Sequence, residues 1–124
     1  MTWAAPYVGR DYSEEDCYTL VRRVLREHRG IHIPDPKREQ LISPQTPLST
    51  AENIIEDVGW VGVPRSEVQP FDVVLFKGCG YTHCGIMIDA RDFLHTREQT
   101  GSCIERITAP MWKNIIEGIY RIDR

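Results

Sequence analysis

Between Ser13 and Gly30 the apolar positions recur every three or four residues. Cys17, Leu20, Val21, Val24, Leu25 and His28 fall on one stripe, which predicts a helix from about Glu14 to Arg29. Ser13 is the N-cap candidate, Asp16 completes a capping-box pattern, and Gly30 supplies the left-handed stop. A shorter helix is expected from about Ala51 to Val58, capped by Ser49 or Thr50 and stopped by Gly59. After Trp60 the period changes to that of strands. "FDVVLFK" reads as a buried strand, and "HCGIMI" and "DFLHT" alternate around the turn "DARD". "SCIERIT" follows the turn signal "QTG", "PMWKNI" reads as a short helical turn, and "EGIYRID" as a closing strand. Helices followed by a run of antiparallel strands make an α+β domain.

The length of 124 residues suits one domain over 1–124, and 41% hydrophobic with 27% charged residues is an ordinary globular balance. A net charge of −3 with no Lys/Arg block argues against a nucleic-acid partner. No apolar run approaches the ~18 residues of a membrane span. The start "MTWAAPYVGRDY" lacks the basic and apolar regions of a secretory signal, so synthesis in the cytoplasm is expected. In that compartment Cys17, Cys79, Cys84 and Cys103 are expected as free thiols, metal ligands or catalytic groups before disulfides. The Pro-rich segment 34–48 sits in a loop whose length is more usual for a functional element than for a plain connection.

Two features carry chemistry. Cys17 lies in the first turn of the first helix, where unpaired N–H groups and the helix dipole favour a thiolate. Taken alone, it reads more readily as the first apolar residue of the buried stripe. The second feature is His83 and His95, twelve residues apart in the hairpin. A turn centred on Asp89 would set them directly opposite on one face, with β-carbons ~5 Å apart. They could be a hydrogen-bonded core pair, yet burying two imidazoles costs free energy unless every ring nitrogen finds a partner. A base for a nucleophile, oriented by a second polar ring, accounts for that cost. Cys79, His83, Cys84, His95 and Cys103 could ligate zinc, but their spacing lacks the paired C-x₂₋₄-C knuckles of structural sites, so no metal is expected.

Three ordered motifs, "GRDYSEEDCYTLVRRVLREHRGIHIP", "QPFDVVLFKG" and "HCGIMIDARDFLHT", resemble the NlpC/p60 cell-wall cysteine peptidases over roughly Val8 to Arg121. The resemblance implies a papain-like α+β fold, N-terminal helices packed on an antiparallel sheet. It implies Cys17 as nucleophile, His83 as general base and His95 as the polar residue orienting it. Tyr12 and Asp16 match positions that line the site and hold the substrate's peptide stem. The implied reaction is hydrolysis of peptidoglycan stem peptides, at the D-γ-glutamyl–diaminopimelate bond, without a cofactor.

Two departures bear on substrate binding. The family's Ser-Gly after the cysteine is Tyr18-Thr19 here, which would narrow or reshape the specificity pocket, and its Gly-Gly before the Asp-Cys pair is the shorter "SEE". The shortened front and the tail "MWKNIIEGIYRIDR" resemble the phage-tail branch of the family. That branch implies a virion tail component acting at the bacterial wall, with other tail-tip proteins as partners. The alternatives are a tail or wall-binding protein whose chemistry is unused, and an injected amidase effector of the same fold.

Overall fold

The computed structural model describes residues 3–33, 60–77 and 83–122. The expected helix at 51–58, the Pro-rich segment 34–48 and Cys79 lie outside the described residues. Helix α1 spans Cys17–Arg29, so it begins with its apolar stripe and later than the expected start near Glu14. The reason is the cap: the Asp16 carboxylate accepts the Thr19 N–H at 2.9 Å, whereas Ser13 turns back onto Asp11. Gly30 ends the helix at φ 64°, as its position predicts. The helix buries Cys17, Tyr18, Leu20, Val21, Val24 and Leu25, and each buried aliphatic contributes about 1.5–3 kcal/mol. His28, expected on this face, is exposed at its edge, stacks on Phe71 and lies tilted against Trp3.

Six strands follow among the described residues: β1 (Trp60–Gly62), β2 (Val73–Phe76), β3 (His83–Met87), β4 (Asp92–Arg97), β5 (Gly101–Arg106) and β6 (Ile116–Ile122). They form one antiparallel sheet in the order β1-β6-β2-β3-β4-β5. The short β1 was not foreseen, because its residues are exposed or half-buried and carry no alternation. "PMWKNI" is a run of turns, in which the Lys113 N–H bonds the Ala109 carbonyl at 3.0 Å as in a single helical turn. The fold is the expected α+β class, with one α-helix among the described residues packed on the sheet.

Side-chain alternation divides the sheet into two buried faces. Val73, Leu75, Cys84, Ile86, Leu94 and Ile122 pack with α1. Val74, Phe76, Met87, Phe93, Ile107, Trp112 and Ile119 form a second cluster on the other face. Burial on both faces explains why "VVLF" is a continuous apolar run. The N-terminal segment straps the sheet to the helix. The Ser102 hydroxyl donates to the Tyr7 carbonyl and accepts the Arg10 N–H, while buried Glu15 takes a bidentate pair from Arg23.

The register of the β3–β4 hairpin corrects the expected one. Ile86 pairs with Leu94 and Met87 with Phe93, so continuing the ladder sets Gly85 opposite His95 and leaves His83 on the diagonal. The turn is displaced because the Asp89 carboxylate accepts the N–H groups of Arg91 and Asp92, closing the loop one residue later than expected. A diagonal pair is within reach of long side chains only if nothing fills the space between. Gly85 leaves it open: a Cβ there would lie 2.8 Å from Phe93 Cδ2, 3.0 Å from the Leu94 carbonyl and 3.2 Å from His95 Cβ. Gly85→Ala is therefore expected to destabilise the protein by about 1–3 kcal/mol through overpacking. Urea unfolding measures this, and an unchanged midpoint would contradict the crowding.

Candidate active site

Cys17 is the first residue of α1, where helix N–H groups and the dipole stabilise an anion. Its thiol hydrogen-bonds to the His83 ring, the Cys84 side chain and the Cys84 backbone N–H. Burial pushes its pKa up, but these bonds and the charge of His83 outweigh it and bring the thiol down to about 6. Cys84 moves the other way. Its bond to Cys17, its burial and the Cys17 charge hold its own proton in place well above the usual thiol range. The Cys84 S–H thus acts as a donor to the Cys17 thiolate.

His83 opens β3 and stacks on Trp112 at 5.4 Å between ring centres. Its Nε2 lies 2.9 Å from His95 Nδ1. His95, in the middle of β4, is fully buried, and its Nε2 lies 2.7 Å from Glu105 Oε2 on β5. Burial and the neighbouring His83 push His95 down to about 3 against the opposing pull of Glu105, so the ring is neutral at physiological pH. Trp112 Nε1 donates to the other Glu105 oxygen at 3.1 Å, and an Arg97 nitrogen stands 3.8 Å from Oε2. Burial raises the Glu105 carboxyl, but the bonds from Trp112 and His95 and the charge of Arg97 carry it below the usual range.

Cys17, His83 and His95 are brought together, although His83 and His95 meet on the diagonal. Asp16 caps α1, and Tyr12 is half-buried in the turn leading to it. Tyr18, expected to shape a pocket, is buried in the core with the Arg22 guanidinium 5.8 Å above its ring. Cys84 and Cys103 are free thiols, and the clusters put Cys84 on the face opposite His83's aromatic neighbours. The contact between Cys84 and Cys17 was not foreseen. Neither was Glu105, although the alternation of "SCIERIT" puts it on the same face as Cys103, which pairs directly with His95.

Among the described residues, His95, Cys103 and Glu105 are the group able to offer three donors to a metal, all within 4.8 Å of one another. Two of those donor atoms already share the 2.7 Å His95–Glu105 bond, and Arg97 offsets the carboxylate charge. That chemistry suits a hydrogen-bond network better than a cation. A thiolate beside an imidazole at a helix N-terminus suits nucleophilic attack followed by proton donation.

The fold resembles solved structures of bacterial proteins. One is described as similar to a lipoprotein of the NLP/P60 family, from Staphylococcus aureus, with TM-score 0.60 and 19% identity over 88% of this chain and 32% of the other. Another is an NlpC/P60 family protein from Bacillus cereus, with TM-score 0.59 and 21% identity over 86% of this chain and 31% of the other. The chain thus spans about a third of the length of each. No curated protein sequence matches it. The sequence profile of the NlpC/P60 family matches residues 5–121, a stretch holding Cys17, His83, His95, strands β1 to β5 and all of β6 but its last residue. With that match and this fold, the chain belongs to the NlpC/P60 family.

Proposed function

We propose that residues 1–124 form one cysteine peptidase domain that hydrolyses peptidoglycan stem peptides, at the D-γ-glutamyl–diaminopimelate bond. The observation that carries this reading is the 2.9 Å bond between His83 and His95 together with the pull of His83 on the Cys17 thiol. Cys17 sulfur attacks the amide carbonyl carbon, and the tetrahedral oxyanion takes the Cys17 backbone N–H at the helix start. Protonated His83 gives its proton to the leaving amine as the C–N bond breaks. Water, deprotonated by His83, then cleaves the thioester and releases the acid and the thiolate. His95 holds the His83 ring in place, and no cofactor takes part. Tyr12 and Asp16 flank the nucleophile from the segment before α1 and are assigned to holding the peptide stem.

No helix among the described residues is long and apolar enough to cross a membrane, which fits an agent acting on the wall. The motif resemblance supports a place in a phage tail tip, with other tail proteins as partners and no nucleic acid. A second reading, a wall-binding or tail module whose chemistry is unused, draws on the burial of Cys17, which is 1% exposed. An injected amidase effector would share the thiol chemistry and differ in the bond cut. Digestion of purified peptidoglycan, with mass analysis of the fragments, separates these readings. Free γ-glutamyl and diaminopimelate ends are the expected products, and intact stems would favour the binding module.

The thiol makes two further expectations. With Cys17 at about 6, its thiolate is present above that pH and lost below it. Iodoacetamide should therefore label Cys17 rapidly at pH 6–7, where thiols titrating near the ordinary ~8.5 remain protonated. The rate should fall as pH drops through 6. Equal rates at all four cysteines would remove the activated nucleophile.

Substitutions test the roles in turn. Cys17→Ser should abolish cleavage with the fold intact, since the hydroxyl is not ionised by the same base. His83→Ala should slow labelling at neutral pH by raising the thiol pKa, and His95→Ala should do so less. A His83→Ala protein that labels like wild type would exclude the dyad.

A further inference from the structure

The hydrogen bonds beyond His95 specify where each ring proton sits. We infer that Glu105 is a positioning residue that fixes the tautomer of His95 and, through it, turns Nδ1 of His83 toward Cys17. The inference rests on the peptidase reading and deepens it. Glu105 is a carboxylate, which only accepts hydrogen bonds. Trp112 Nε1–H, which only donates, occupies Oε1, so Oε2 receives the proton on His95 Nε2 at 2.7 Å. Neutral His95 has one ring proton and spends it there, leaving a lone pair on Nδ1. At 2.9 Å His83 Nε2 must then be the donor. The nitrogen left for the thiol is His83 Nδ1.

This arrangement has a consequence for proton transfer. His83 keeps its Nε2–H whether neutral or protonated, so the reaction cycle runs on Nδ1 alone. The opposite tautomer of His95 would donate from Nδ1 to His83 Nε2. Neutral His83 would then carry its proton on Nδ1, facing the sulfur, and could not accept one from Cys17. Protonated His83 would set two N–H groups against each other. The groups facing Glu105 are His95, Arg97, Trp112 and Cys103, whose thiol is 3.8 Å from Oε2. Burial pushes the Cys103 thiol up, so it adds no negative charge at neutral pH. Arg97 favours the carboxylate that the scheme requires.

Glu105→Gln and Glu105→Ala distinguish this role from simple support. In Glu105→Gln, Trp112 holds the amide oxygen, so the amide NH₂ faces His95 Nε2 and demands a lone pair there, inverting the tautomer. Glu105→Ala leaves His95 free to adopt either form. The isosteric variant is therefore expected to be at least as impaired as the truncated one. Cys17 labelling at pH 7 should slow roughly tenfold or more as its titration moves toward ~8.5. Cleavage should fall on the order of 10²-fold, at the low end of what general acid–base catalysis supplies. A structural role predicts the reverse order, with Gln close to wild type.

Nitrogen-15 NMR of the wild-type histidine rings gives the tautomer without any variant. The expected result is a protonated His95 Nε2 and an unprotonated Nδ1. A proton on His95 Nδ1, wild-type labelling in Glu105→Gln, or a larger defect in Glu105→Ala than in Glu105→Gln would each overturn the role of Glu105 alone. Cys17 labelling in the wild-type protein no faster than at the other thiols would overturn the peptidase reading, and this inference with it.

Discussion

The site depends on the place where the N-terminus of α1 meets the first two residues of β3. Consecutive residues of a strand point to opposite faces, so His83 and Cys84 cannot both face α1. Cys17 nevertheless bonds to both. His83 is the first residue of β3, and a side chain at the end of a strand can be reached around that end. One neighbour then supplies an imidazole and the other a thiol donor and a backbone N–H. Between them they hold a buried sulfur as an anion.

A second constraint is the cost of burying imidazoles. An unpaired polar group in an apolar setting costs about 1–3 kcal/mol, and two rings bring four such nitrogens. Here His83 lies against Phe76 and Trp112 and His95 against Phe93 and Trp112, and the hydrogen bonds run outward to the half-buried Glu105 on β5. Ending at a group near solvent lets the carboxylate stay charged. The same aromatic residues belong to the second core cluster, so the packing that stabilises the sheet also orients the rings.

The Cys17 helix, its glycine stop and the strands β2 to β6 were legible because each carries a local signal. Apolar period, turn residues and capping chemistry act within a few positions of one another. The errors fell where two local options competed. Ser13 and Asp16 both suit a cap, and the helix took the one whose carboxylate reaches Thr19. The hairpin had several possible centres, and the Asp89 side chain fixed the one that two-residue periodicity could not choose. Strand β1 is only three residues long and has no buried alternation to reveal it.

By itself the sequence determined the α+β class, the placing of Cys17 at a helix start and the sharing of one hairpin face by His83 and His95. These follow from spacing, and spacing is a property of the chain. The tertiary structure alone decided the contact of Cys84 with Cys17, the diagonal meeting of the histidines across Gly85 and the arrival of Glu105 at His95. Each joins segments whose separation in sequence says nothing about register or approach. Those are set by how the helix end, the start of β3 and the aromatic cluster fill space together, and packing of that kind has no one-dimensional signature.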